Sequence, residues 1–177
     1  ENEEITYQTA NHFKKICAKL NIELLFKASY DKANRSSIDS FRGPGLKRGL
    51  KILNDVKREL SIKVITDVHS EKEVEEAANI CDALQLPAFL ARQTSLIESL
   101  AKSNKLINIK KPQFISPHQV VNIVEKFFHF GNHNIMICER GTNFGYDNLV
   151  VDFLGFDVIK KTCNNIPLIF DITHSLQ

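Results

Sequence analysis

Apolar positions along this chain repeat with two spacings, and stretches of one kind alternate with stretches of the other. Ile5, Ala10, Phe13, Ile16, Cys17 and Leu20 recur at helical spacing, which predicts an amphipathic helix over residues 3–20 with these side chains inward. The apolar run Ile22 to Phe26 predicts a first buried strand. Gly43-Pro44-Gly45 punctuates the chain and starts a second helix, with Leu46, Leu50, Leu53, Val56 and Leu60 on one face. Lys63 to Val68 predicts the next strand, and Ser70 with Glu73 has capping-box spacing for a helix carrying Val74, Ala77 and Ala78 inward. A short strand over Ala83 to Leu86, a helix with Leu96, Ile97, Leu100 and Ala101, and a strand over Leu106 to Ile109 follow. Ser116-Pro117 with Gln119 supplies a cap, a first-turn proline and a capping-box partner for a helix through Phe128. Asn134 to Cys138 predicts a strand, Leu149 to Ile159 a helix, and Pro167 to Phe170 a last strand.

Six apolar strands thus alternate with six helices, and no strand shows an in–out pattern. Both features indicate an α/β fold, a parallel sheet covered by helices. An open doubly wound sheet gathers its ligands at one switch point, whereas a barrel delivers functional residues from every strand end to one face. Polar or charged residues follow all six strands here, which favours the (β/α)8 TIM barrel. A full barrel has eight strands and about 250 residues. The expectation is therefore a single barrel domain over residues 1–177, incomplete, with about six of eight strands. The first strand would lie before Glu1 and the C-terminal units after Gln177.

Composition narrows the function. The 177 residues are 43% hydrophobic and 25% charged, ordinary for a globular domain with one sizeable core. A net charge of +2 lacks the basic excess of a nucleic-acid binder, so no nucleic-acid partner is expected and a basic patch should be local. No apolar run is long enough to span a bilayer, so no membrane partner is expected. Cys17, Cys81, Cys138 and Cys163 are far apart and form no metal-type pair, which reads as reduced thiols in a cytoplasmic protein. Cys81 and Cys138 adjoin apolar runs and read as packing residues.

The candidate chemistry sits at the strand ends. Phe26 to Ser37 delivers Lys27, Lys32, Asn34, Arg35, Ser36 and Ser37, a donor-rich set suited to a phosphate or carboxylate and otherwise a solvated basic loop. On a barrel, Lys27, Lys32, Asp67, His69, Gln85, Arg92, Lys110, Arg140, Asp171 and His174 would share one mouth. Five cations there call for an anionic ligand of several charges. Asp67 as a structural acceptor and His174 as a core histidine are the plainer alternatives. Lys111 alternates with Lys110 and reads as structural.

These residues carry a family resemblance. Phe26 to Ser37, Phe-Arg-Gly-Pro-Gly-Leu from Phe41, Ile-Thr-Asp-Val-His from Ile65, and Gln-Leu-Pro-Ala-Phe-Leu-Ala-Arg-Gln-Thr from Gln85 run in order along the chain. Lys-Lys-Pro-Gln-Phe from Lys110, the segment Glu139 to Asp152, and Phe-Asp-Ile-Thr-His-Ser-Leu-Gln from Phe170 complete the set. Together they resemble 3-deoxy-D-manno-octulosonate 8-phosphate synthases. Those are (β/α)8 barrels that condense phosphoenolpyruvate with D-arabinose 5-phosphate and water, releasing phosphate, on the route to lipopolysaccharide.

The resemblance implies a single catalytic domain with Lys32, His174 and Asp67 as catalytic residues. It implies that Lys27, Lys32, Gln85, Ala88 (through its backbone), Arg92, Lys110 and Arg140 bind phosphoenolpyruvate. Asn34, Arg35 and Ser36 would bind the sugar phosphate, with Arg35 and Ser36 reaching a neighbouring subunit's site in a homotetramer. The wording Lys110-Lys111-Pro112-Gln113 resembles the metal-independent branch, so no cofactor is expected. The alternative is one divalent ion with His174 among its ligands. Rival readings are the related synthase acting on erythrose 4-phosphate, whose loop at this position differs, the sialic-acid-type synthases, whose sugar is unphosphorylated, and an inactive anion-binding barrel.

Overall fold

The computed structural model describes residues 2–176; Glu1 and Gln177, the two ends of the expected domain, lie outside the described residues. The elements are α1 (Glu3–Leu20), β1 (Leu25–Lys27), α2 (Leu46–Leu60), β2 (Lys63–Asp67), α3 (Glu71–Ile80), β3 (Ala83–Leu86) and α4 (Thr94–Lys102). They continue with β4 (Leu106–Lys110), α5 (Val121–His129), β5 (Ile135–Glu139), β6 (Thr142–Phe144), β7 (Asn148–Val150), α6 (Leu154–Thr162) and β8 (Leu168–Phe170).

Six strands form one sheet in the order β1-β2-β3-β4-β5-β8, and β6 pairs with β7 apart from it. Sheet order follows chain order without reversal, so the described strands contain no switch point. This is the strand order of an incomplete (β/α)8 barrel and not of a doubly wound sheet. The pairs β1–β2, β4–β5 and β5–β8 are parallel, with Phe26 opposite Val64, Ile109 opposite Ile137, and Cys138 opposite Ile169.

The chain groups into two compact units, one up to Leu84 and one from Gln85. In the first, Asn2 caps α1 by accepting from the Ile5 amide at 2.8 Å, and Asn21 ends it in the left-handed region at φ 54°. Ala10, Phe26, Ile52, Val56 and Leu60 pack together. A side chain such as Leu53, 2% exposed, contributes about 1.5–3 kcal/mol by leaving water. The expected inward face of α1 needs correction. Ala10 and Thr6 are buried, but Ile5, Phe13 and Leu20 are 54%, 46% and 63% exposed. Spacing identified an apolar stripe; the line that meets Phe26 and α2 runs through the smaller Ala10. The strand expected from Ile22 begins only at Leu25, because the Ile22 amide still bonds the Cys17 carbonyl as part of the α1 cap.

In the second unit, Leu96, Ile97, Leu100, Ile107, Ile109, Phe127 and Ile137 are fully buried. The helix expected over Leu149 to Ile159 is instead the β6–β7 hairpin followed by α6. Gly141 and Gly145, at φ 101° and 74°, turn the chain on either side of β6 in a conformation that disfavours other residues. Leu149 and Val150 then satisfy their backbone opposite Asn143 and Thr142. Ser116 and Gln119 form the expected capping box, but it opens a short 3-10 turn, Pro117–Val120, before α5. Cys81, Cys138 and Cys163 are buried, and all four cysteines are free thiols. Among the described residues no helix is long and apolar enough to cross a membrane.

Candidate active site

Two groups of polar residues stand at strand ends, one in each unit. In the first unit, β1 ends on Lys27 and β2 on Asp67. Lys27 Nζ donates to Asp67 Oδ1 at 3.1 Å and to Ser29 Oγ at 2.9 Å, and Lys32 Nζ donates to the same Ser29 Oγ at 3.1 Å. The Asp67 carboxylate also meets His69 Nε2 at 3.1 Å. A neutral His69 ring therefore carries its proton on Nε2 and leaves Nδ1, which is buried without a protein partner, as an acceptor. Burial works to raise the Asp67 pKa. The hydrogen bond to His69, the Lys27 charge and the Ser29 hydroxyl overcome it and hold the carboxyl well below the usual carboxylate range. Asp67 is thus held as an anion that orients Lys27 and His69, while Lys32 meets Lys27 at their shared Ser29 hydroxyl.

The donor-rich segment leaves this group as a loop closed at its neck. Arg42 bonds both Asp31 carboxylate oxygens, at 3.0 and 2.5 Å, and its carbonyl accepts from the Lys32 amide at 2.5 Å. Asn34, Arg35 and Ser36 lie exposed beyond that neck.

In the second unit, β4 ends on Lys110, whose ammonium is ion-paired with Asp171 just past β8. Asp171 Oδ2 meets His174 Nδ1 at 2.7 Å, and Asp171 Oδ1 accepts from the Thr173 and His174 amides, both at 3.0 Å. Burial again pushes the Asp171 pKa up, but its bonds to Lys110 and to His174 hold it well below the usual range. Gln85 Oε1 accepts from Asn108 Nδ2 at 3.1 Å, both side chains buried. Arg140 is 8% exposed, and among the described residues no carboxylate pairs with its guanidinium. Burial lowers its pKa, and the charges of Asp171 and Glu139 oppose that shift. Ala88 opens a short 3-10 turn, Ala88–Leu90, and Arg92 stands exposed just beyond it.

Lys111, 0% exposed, donates to the carbonyls of Pro112 and Gly141 and to Thr142 Oγ1 at 3.0 Å, with Glu139 3.5 Å away. It shapes the turn after β5 and takes no place among the strand-end cations. The expected excess of cations is also smaller than their number suggested, because Lys27 and Lys110 each have an aspartate partner. Three participants escaped sequence reasoning. Ser29 and Glu73 carry ordinary loop and helix-cap signatures. Asn108 showed itself only as one amide inside an apolar strand. Asp171 was noted at a strand end but given no role.

A family model described as the DAHP synthetase I family matches residues 1–177. The chain is 63% identical over 177 residues to a 2-dehydro-3-deoxyphosphooctonate aldolase of Prochlorococcus marinus (strain MIT 9313), covering 100% of this chain and 62% of that protein. It is 54% identical over 177 residues to the protein of the same name from Erwinia tasmaniensis, again covering 62% of it. The chain thus spans 62% of the length of the curated relatives it matches.

Proposed function

Because this chain belongs to the DAHP synthetase I family, we propose that it is part of an enzyme making 3-deoxy-D-manno-octulosonate 8-phosphate from phosphoenolpyruvate, D-arabinose 5-phosphate and water. The observation that carries the reading is the strand-end chemistry. Aspartates fix lysines and histidines in both units, while Arg140, which among the described residues is ion-paired with no carboxylate, stays available to an anion. The relatives at 54–63% identity carry the name 2-dehydro-3-deoxyphosphooctonate aldolase, which supports the choice of sugar.

In this reaction carbon 3 of phosphoenolpyruvate attacks the sugar aldehyde and water adds at carbon 2. The resulting hemiketal phosphate then loses inorganic phosphate by carbon–oxygen cleavage. Protons must leave the water and reach the new hydroxyl. The Asp67–His69 and Asp171–His174 pairs are carboxylate–imidazole couples able to take and return them. Lys32 polarises the aldehyde or holds the phosphoenolpyruvate carboxylate, beside Lys27. The Ala88 backbone, Arg92, Lys110 and Arg140 take the phosphoenolpyruvate phosphate, with Gln85 also binding phosphoenolpyruvate, and donors aimed at a departing phosphate stabilise the charge it gains. Asn34, Arg35 and Ser36, on the necked loop, take the sugar phosphate, and in the proposed homotetramer Arg35 and Ser36 serve the neighbouring subunit.

We read residues 1–177 as one part of a single catalytic barrel domain, working in the cytoplasm. The reading is of a metal-independent enzyme. His174 alone does not make a site for a divalent ion, and no step above is routed through one.

The test is phosphate release by the full-length protein given phosphoenolpyruvate with arabinose 5-phosphate, and separately with erythrose 4-phosphate. Release is expected with the first sugar. Lys32→Ala should abolish it and leave the circular dichroism spectrum unchanged. Faster turnover of erythrose 4-phosphate, or near-normal activity of Lys32→Ala, overturns the assignment.

A further inference from the structure

Behind the Lys27–Asp67–His69 group, a polar path runs into the interior of the first unit. Tyr30 is 2% exposed, and its hydroxyl donates to Glu73 Oε2 at 2.9 Å. The same oxygen accepts from the His69 amide at 2.8 Å and the Ser70 amide at 3.0 Å. A capping box asks Glu73 to satisfy only the Ser70 amide. Here one carboxylate oxygen also fixes the backbone of His69 and is itself held by a phenol. The Tyr30 ring then meets the His69 imidazole edge to face, with centroids 5.5 Å apart and planes at 72°. His69 is thus fixed at its amide, at its ring face and at Nε2.

Tyr30 is itself anchored. Its carbonyl accepts from the Gly45 amide at 3.0 Å, and a Cβ on Gly43 or Gly49 would lie 2.5 Å from the Tyr30 oxygen or 2.3 Å from its Cβ. Burial and the Glu73 charge push the phenol pKa up, so the hydroxyl stays a donor.

We propose that Tyr30 and Glu73 are positioning residues that set the His69 ring against Asp67. The inference rests on the reading of the Asp67–His69 couple as a proton relay and adds the two groups that aim it.

The test uses the full-length protein as Tyr30→Phe, Glu73→Ala, Glu73→Gln and the double variant Tyr30→Phe/Glu73→Ala. Steady-state kinetics with phosphoenolpyruvate and arabinose 5-phosphate are measured alongside crystal structures of Tyr30→Phe and Glu73→Ala. A misplacement of roughly 1 Å costs about a hundredfold in rate. Glu73→Ala should therefore lower kcat by about tenfold to a hundredfold and Tyr30→Phe by roughly threefold to tenfold, with both KM values within about twofold. Glu73→Gln keeps an oxygen for the two amides and should recover most of the loss. Tyr30→Phe should add nothing on the Glu73→Ala background, because the phenol acts through the carboxylate. In the crystal structures the ring should turn away from Asp67. A ring unmoved in both variants, or kcat within about twofold of wild type in both, overturns the proposal. If the wild type releases no phosphate from these substrates, the proposed function fails, and the ring positions still decide whether Tyr30 and Glu73 place His69.

Discussion

Replacing Gly49 by alanine measures how firmly Tyr30 is held. A Cβ at position 49 would stand 2.3 Å from Tyr30 Cβ and 2.9 Å from Tyr30 Cα, with Pro44 Cγ 3.5 Å away. Carbon atoms rest about 3.5–4.0 Å apart, so α2 and Tyr30 must separate by ~1.2 Å or more. The nearest atoms belong to the backbone and its first side-chain carbon, so no flexible tip can swing aside. Overpacking of this kind costs about 1–3 kcal/mol, and alanine returns about 1 kcal/mol by favouring the helix over glycine. Because the obstruction is rigid, the net loss should be about 1–2 kcal/mol, roughly 2–8 °C in Tm at about 2–4 °C per kcal/mol. Urea titration and a thermal scan of the full-length variant read it directly. Gly155→Ala is the contrast: its Cβ would meet the Pro117 ring, Cγ at 3.0 Å and Cβ at 3.7 Å, where a change of pucker gives room, and its loss should be smaller. Equal or greater stability of Gly49→Ala would refute the argument that Tyr30 cannot yield.

Two further outcomes follow from the buried charges. Lys111→Met leaves Glu139, among the described residues, with the Arg140 and Gly141 amides at 2.9 and 2.7 Å, and should cost about 3 kcal/mol in urea denaturation, the lower end for a broken buried pair. Adding Glu139→Gln should recover part of that loss, and an undiminished urea midpoint in Lys111→Met would contradict the pairing. Asp67 and Asp171 bind protons less tightly folded than unfolded, where a carboxyl titrates near about 3.9. Their contribution is therefore complete above that pH and disappears as pH falls through and below it. Denaturation measured from neutral to acid pH should show that loss, and Asp67→Asn should flatten it; an unchanged acid limb would speak against the Asp67 network.

Much of this architecture was legible in the sequence, for reasons that can be located. The capping boxes at Ser70 and Ser116 are local chemistry, and both formed. Ala83 to Leu86 showed itself as a short run between Asp82 and Pro87, and β3 has those bounds. The failures came where local pattern does not decide. Leu149 to Ile159 kept a helical spacing, but the left-handed glycines at 141 and 145 turned its first part into a hairpin. The face of α1 depended on which neighbour it met, which no spacing encodes. The strand ends announced which residues carry chemistry but not their pairings. That Asp171 would take both Lys110 and His174, or that Glu73 would reach Tyr30, depends on chain segments 61 and 43 residues apart.

The neck formed by Asp31 and Arg42 separates two kinds of sequence change. Alterations at the neck unlatch the whole loop, because the ion pair and the Lys32 amide bond to the Arg42 carbonyl both close there. Alterations at the tip, among Asn34, Arg35 and Ser36, touch neither the pairing of β1 with β2 nor the start of α2. The tip is therefore an exchangeable cassette: its composition can change while the strand and helix that carry it stay as they are.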